Sequence, residues 1–198
     1  GASYVDEAFE QAGATIAKTN KTLLKDADVV LKVRPPSAAE LKLYKHGAVL
    51  IALLEPFDDP SSAGRYAQAG VDAFCMEFVP RITRAQSMDV LSSQSNLAGY
   101  RAVIDAAGAF TRAMPMMMTA AGTVAPAKVM VMGAGVAGLQ AIATARRLGA
   151  IVCATDVRPV AKEQVESLGA TFVMVDSDEA REAETAGGYA KEMSDEYK

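Results

Sequence analysis

Short apolar runs alternate with amphipathic stretches along the chain. VDEAFEQAGAT predicts a helix that begins near Asp6 and stops at Gly13. DADVVLKV predicts a buried strand halted by Pro35-Pro36. SAAELKLYKHG predicts a short helix, and AVLIALL, Ala48 to Leu54, is a continuous apolar run of strand length. PSSAGRYAQAG then reads as another helix and VDAFCMEF as another strand. This β/α rhythm predicts a parallel sheet covered by helices.

A long helical pattern follows VPRITRAQ, from about Ser87 to Arg112. Its apolar positions Leu91, Leu97, Val103, Ile104, Ala107 and Phe110 fall largely on one face. PMMMTAAGTVAPAK reads as a connection whose methionines pack as core or linker, with a soft binding surface as the other reading. Beyond it KVMVM, LQAIATARRLGA, IVCATD, RPVAKEQVESLGA and TFVMVD form β-α-β-α-β, half of a doubly wound fold. The expected architecture is therefore α/β, with two Rossmann-like lobes and parallel sheets joined by a long helix. The lobes are expected over 1–86 and 125–198, linked through 87–124, with an incomplete second sheet and a mobile polar loop over 177–198.

Composition narrows the classes. The 198 residues are 51% hydrophobic, enough for a packed core in one large domain or two small ones. A net charge of −4 argues against nucleic acid as the main partner. No apolar run approaches the roughly 18 residues of a membrane span, and no secretory signal is visible. The chain does not begin with Met and ends at DEYK without a clear stop, which points to a fragment. Cys75 and Cys153 sit in strand-like runs and read as buried thiols, with no spacing for a metal site. The lone His46 reads as helix-terminal or solvated.

GAGVAG, between an apolar strand and a helix, carries candidate chemistry. Gly133 permits the tight turn, Gly135 removes a side chain that would block a pyrophosphate, and Gly138 lets helix and strand pack closely. The helix N-terminus offers N–H groups and partial positive charge to phosphates. Asp156 ends the next strand, eighteen residues past Gly138. A carboxylate there accepts hydrogen bonds from the adenosine ribose and repels the extra phosphate of NADP, which favours NAD(H). Arg158 weakens that preference, because an arginine accommodates a 2′-phosphate. The competing reading is a tight α/β turn that binds nothing.

RITRAQSMDVLSSQSNLAGYRAVIDAA, joined to PAKVMVMGAGVAGLQAIATARRLGA, resembles the NAD(H)-binding domain of the proton-translocating NAD(P) transhydrogenases, relatives of alanine dehydrogenase. The RxxRAQSMDxLSS segment and the TAGGYAKEM loop are more specific than the glycine turn, and the likeness covers nearly the whole chain. It implies NAD(H) held between two lobes, with hydride passing directly to or from NADP(H) on a partner component. A membrane proton-channel component would couple that exchange to proton movement. It also implies a homodimer, peripheral to an energy-coupling inner membrane on the bacterial cytoplasmic or mitochondrial matrix side, with no direct membrane insertion.

Site residues follow from the same resemblance. Arg81, Gln86, Asp89 and Ser92 would be the hydride-transfer residues at the nicotinamide end, and Arg81, Ile82, Thr83, Gln86, Ser87, Met88 and Asp89 would line the cofactor. Asp89 would hold Arg81 or the carboxamide, Arg81 the phosphates or carboxamide, and Gln86 the partner or its nucleotide. Asp89 and Ser92, three apart, are expected to share a helix face. The structural alternative is a solvated helix start capped by Ser87. Gly133, Ala134, Gly135, Val136 and Gly138 would line the pyrophosphate turn, and Asp156, Val157 and Arg158 the ribose end. Gly188 and Tyr189 would belong to a loop that folds over the nucleotide, with an ordinary flexible loop as the alternative.

The family's domain has more sheet before residue 1 and a further half-fold after residue 198, so the resemblance again implies a truncated form. Alanine dehydrogenase needs a histidine and a lysine at its substrate. AVLIALLEPF has no histidine, and Arg34 stands where the lysine is expected. A third reading is a non-catalytic NAD-binding or assembly module.

Overall fold

The computed structural model describes residues 3–174 and Ser194. The chain divides into two compact units, residues 1–90 and 91–198.

In the first unit α1 (Asp6–Gln11) and α2 (Asn20–Leu24) precede β1 (Val29–Leu31). Next come α3 (Ala38–Leu41), β2 (Val49–Ala52), α4 (Ser62–Gln68) and β3 (Asp72–Cys75). The three strands form one parallel sheet in the order β1-β2-β3. AVLIALL supplies the middle strand, and Leu50 and Ala52 are fully buried at its centre. Leu24, Val30, Leu41 and Tyr66 close on them. Ser37 and Glu40 form a reciprocal capping box that starts α3, and Lys32 Nζ donates to Glu40 Oε1 at 2.7 Å, tying that helix to the end of β1. The short helix α2 is an element the apolar pattern did not predict. Thr19 caps it, its side chain accepting from Thr22 N–H at 3.1 Å.

The expected strand VDAFCMEF is only half a strand. It stops at Cys75, and Met76–Phe78 turn into a 3-10 helix. The turn is held by Glu77, whose carboxylate accepts from Leu54 N–H at 3.0 Å and Glu55 N–H at 2.7 Å. The long helix is also shorter than expected. Thr83–Met88 form a separate 3-10 helix, and α5 runs from Val90 to Ala109. Asp89, at φ −77° and ψ 83°, lies outside helical geometry and breaks the two apart. Ser87 is therefore inside a 3-10 turn and is no helix cap. Asp89 precedes α5 and shares no helical face with Ser92. Leu97 is exposed, so the apolar stripe of α5 is narrower than its sequence implies.

The second unit holds a two-stranded antiparallel hairpin, β4 (Met117–Thr119) and β5 (Gly122–Val124). Met116, Met117 and Met118 are exposed on and beside it, so they are not core packing. Then follow β6 (Lys128–Met132), α6 (Val136–Arg147), β7 (Ile151–Thr155), α7 (Ala161–Ser167) and β8 (Thr171–Phe172). β6, β7 and β8 form an open parallel sheet in that order. Among the described residues it has three strands, against six in a complete doubly wound fold. Val152 and Ala154 of β7 are buried with Ile142, Ala145 and Val165 from the helices. α5 joins this core through Val103, and its backbone lies so close to α6 that a side chain at Gly99 would meet Ala137 O at 2.0 Å.

Both cysteines, expected to be buried, are only half-buried. Cys75 ends the edge strand and donates to Glu77 Oε2 at 3.0 Å, and Cys153 points to the face of β7 opposite Val152 and Ala154.

Candidate functional site

The glycine turn forms between β6 and α6. Gly133 adopts φ +93°, and its N–H donates to Thr155 O at 2.8 Å, hanging the turn on β7. Gly135 occupies the N-cap of α6 in extended conformation, with no side-chain cap for the first helical N–H groups. A Cβ at Gly135 would meet nothing within 4 Å, whereas one at Gly138 would lie 1.8 Å from Gly133 O. The turn thus has the two properties a phosphate-binding turn requires: clear space in front of a 12-residue helix and close packing behind it.

Asp156 closes the turn from below. Its carboxylate is buried and accepts from Ala134 N–H at 2.7 Å and Arg158 N–H at 2.9 Å. The Arg158 guanidinium adds a fork, Nε to Oδ1 at 2.9 Å and Nη2 to Oδ2 at 3.0 Å. Burial alone pushes the Asp156 carboxyl up. The Arg158 side-chain bonds, the two backbone N–H groups and the Arg158 charge outweigh it and hold the carboxyl below its ordinary range. Ala134 is buried, Val157 and Arg158 are half-buried, and Val136 is exposed. Of the predicted residues, Gly133, Ala134, Gly138, Asp156 and Arg158 are thus held together, with Gly135 and Val136 at the mouth of the turn and Val157 between the two charged residues. The Arg158 fork is the feature the sequence did not reveal; a two-residue spacing carries no periodic signal.

The RITRAQSMD segment belongs to the first unit. Ala85 is buried and anchors its 3-10 helix, while Arg81, Ile82, Thr83, Gln86, Ser87 and Met88 are exposed around it and Asp89 is half-buried. Met88 also lines an apolar cavity of about 780 Å³ with Phe74, Phe78 and Val79. Ser92, half-buried in α5, belongs to the second unit with the glycine turn. Gly188 and Tyr189 lie outside the described residues.

Glu77 is a further residue that sequence reasoning missed. It stands past the carboxyl ends of β2 and β3, the side of an open parallel sheet where ligands bind. Burial pushes its carboxyl up, but the Cys75 S–H and the Glu55 and Leu54 N–H groups hold it below its ordinary value. Glu55 beside it is strained, at φ +51°. Among the described residues no group of three His, Cys, Asp or Glu side chains is arranged to hold a metal ion. No helix among them is long and apolar enough to cross a membrane.

The N-terminal domain model of alanine dehydrogenase/PNT matches residues 1–98, and the C-terminal domain model of the same family matches residues 102–193. The chain belongs to the alanine dehydrogenase/PNT family. Within that family it is 59% identical, over its whole length, to an NAD(P) transhydrogenase subunit alpha polypeptide of Rhodospirillum rubrum, and covers 53% of that protein. A crystal structure of transhydrogenase from Sinorhizobium meliloti is 63% identical, with a TM-score of 0.84 over 87% of this chain and 51% of that one. Alanine dehydrogenase of Mycobacterium tuberculosis is 31% identical over 79% of this chain and 43% of its own length. The chain spans about half the length of the curated relatives it matches first.

Proposed function

We propose that the chain is the NAD(H)-binding part of an NAD(P) transhydrogenase. The observation that carries this reading is the glycine turn closed by Asp156, in a chain 59% identical to a transhydrogenase alpha subunit. The N–H groups at the start of α6 hold the pyrophosphate, Gly135 leaves it room, and Asp156 accepts the adenosine ribose hydroxyls. Bound there, NAD(H) supplies or takes up a hydride. Arg81, Gln86, Asp89 and Ser92 hold the nicotinamide end, with Ile82, Thr83, Ser87 and Met88 beside them. Gly188 and Tyr189 are assigned to the nucleotide site from the TAGGYAKEM sequence alone. Exchange of hydride between two nicotinamides involves no net proton. That accounts for a segment rich in hydrogen-bonding groups with neither histidine nor cysteine.

NADP(H) is held by a partner component, and a membrane component couples the exchange to proton movement. The chain works as a homodimer at the face of an energy-coupling membrane, with residues 1–86 and 125–198 as its lobes. Alanine dehydrogenase activity is the weaker reading. AVLIALLEPF offers no histidine, and exposed Arg34 stands where a lysine is needed. Calorimetric titration of NADH and NADPH, into this chain and into a version extended at both ends to its relatives' length, tests the proposal. NADH bound in preference to NADPH supports it. Absence of NADH binding by either form overturns it and leaves the glycine turn as structure alone.

A further inference from the structure

A carboxylate has about four acceptor positions, two on each oxygen. At Asp156 four donors fill them. Oδ1 receives Arg158 N–H and Nε, and Oδ2 receives Ala134 N–H and Nη2 of Arg158. The two backbone donors are fixed by the turn. The other two come from one planar guanidinium on a rotatable side chain that retains 18% exposure.

A ribose offers two neighbouring hydroxyls, and its recognition by a carboxylate needs one acceptor position on each oxygen. Those are the positions the fork now holds. Buried without the fork, the carboxylate would be an uncompensated charge. Two of the four donors are backbone N–H groups, so the guanidinium is the donor carried by a side chain that can turn away from the carboxylate.

We infer that Arg158 is a displaceable stand-in for the ribose diol, occupying on Asp156 the two positions that the nucleotide's hydroxyls take. This deepens the dinucleotide reading above and rests on it. Binding exchanges one bidentate donor for another, so Arg158 sets the affinity of the site by competition. Once displaced, its positive charge stays tethered two residues from Asp156, and an arginine near that carboxylate accommodates a 2′-phosphate. Arg158 thus lowers the site's discrimination against NADP(H) as well as its affinity for NAD(H).

The experiment measures NADH and NADPH affinities and NADH association rates for the wild type, Arg158→Ala and Arg158→Lys. It is done in the chain extended to its relatives' length and in the chain itself. Arg158→Lys keeps the charge and loses the fork, so it decides the matter if Arg158→Ala does not fold. The inference requires NADH to bind at least five-fold tighter and associate faster in Arg158→Ala, with Arg158→Lys between it and wild type. NADPH must gain less or weaken. NADH affinity unchanged or reduced in both variants, with wild type binding normally, overturns the inference and leaves the dinucleotide site standing. Failure of the wild type to bind NADH in either form overturns both.

Discussion

Two glycines three residues apart should respond in opposite ways to the same methyl group. Gly135 has φ −76° and ψ −167°, an extended conformation open to any residue. A Cβ there meets nothing within 4 Å. Alanine at this position lowers the entropy of the unfolded chain, a gain of about 0.4–1 kcal/mol. It is also a poorer N-cap than glycine, a loss of about 0.5–1 kcal/mol. The terms nearly cancel, so Gly135→Ala should leave stability within about 0.5 kcal/mol of wild type. Yet the methyl projects into the space assigned to the pyrophosphate. NADH affinity should fall at least ten-fold, about 1.4 kcal/mol.

Gly138→Ala meets Gly133 O at 1.8 Å, and only movement of the turn or of α6 relieves it. Overpacking of this kind costs about 1–3 kcal/mol. Urea denaturation and NADH calorimetry on both variants separate the effects. A Gly135→Ala variant that binds NADH like wild type would refute the placement of the phosphates over this turn. A Gly138→Ala variant as stable as wild type would refute the packing argument.

Other consequences can be measured beside these. Tyr44 Oη is buried and, among the described residues, has no hydrogen-bond partner. Burial first, then the charge of Glu40 and the neighbouring Tyr66, push its phenol up to about 12. Tyr44→Phe should therefore stabilise the first unit by about 1 kcal/mol, read as a higher urea midpoint at constant slope; a lower midpoint would mean the hydroxyl is satisfied. Asp156 is held below its ordinary range, so the native state binds fewer protons than the unfolded one. Its stabilisation is complete above the unfolded value of about 3.9 and is lost as pH falls from there through the native value. Urea midpoints of wild type and Asp156→Asn should converge on acidification below about pH 4, and a gap constant down to about pH 3 would contradict the ion pair. Gln86→Ala and Asp89→Ala should slow hydride transfer more than they weaken NADH binding. If both leave the transfer rate intact, the assignment of the RITRAQSMD segment is wrong.

What could be read ahead of the structure follows from how local its cause is. The β6–α6–β7 turn was legible because three glycines, an apolar strand and a helix start each constrain the same few residues. AVLIALL was legible as a strand because it is an unbroken apolar run of strand length; its central place was not, since only Leu50 and Ala52 are fully buried while Val49 and Ile51 are half-buried. The break at Asp89 was not legible, because Ser87 and Met88 extend the helical pattern of α5 backwards in the sequence, and one residue outside helical geometry leaves no mark on that pattern. The hairpin Met117–Val124 escaped notice because Met-Met-Thr and Gly-Thr-Val lack an alternating apolar pattern, and Ala120-Ala121 is no hairpin turn signal. In the site, glycines and Asp156 announce themselves by spacing. The Arg158 fork and the Glu77 carboxylate depend on side-chain direction, which spacing does not encode.

The most direct test of the central claim is hydride transfer itself. The chain, extended to its relatives' length, is mixed with an NADP(H)-binding transhydrogenase component, NADH deuterated at the transferring position, and NADP⁺. The account predicts deuterium in the NADPH formed and none lost to water, because hydride passes from ring to ring. Tight NADH binding with no deuterated NADPH would contradict it, and would make the chain a binding module without turnover.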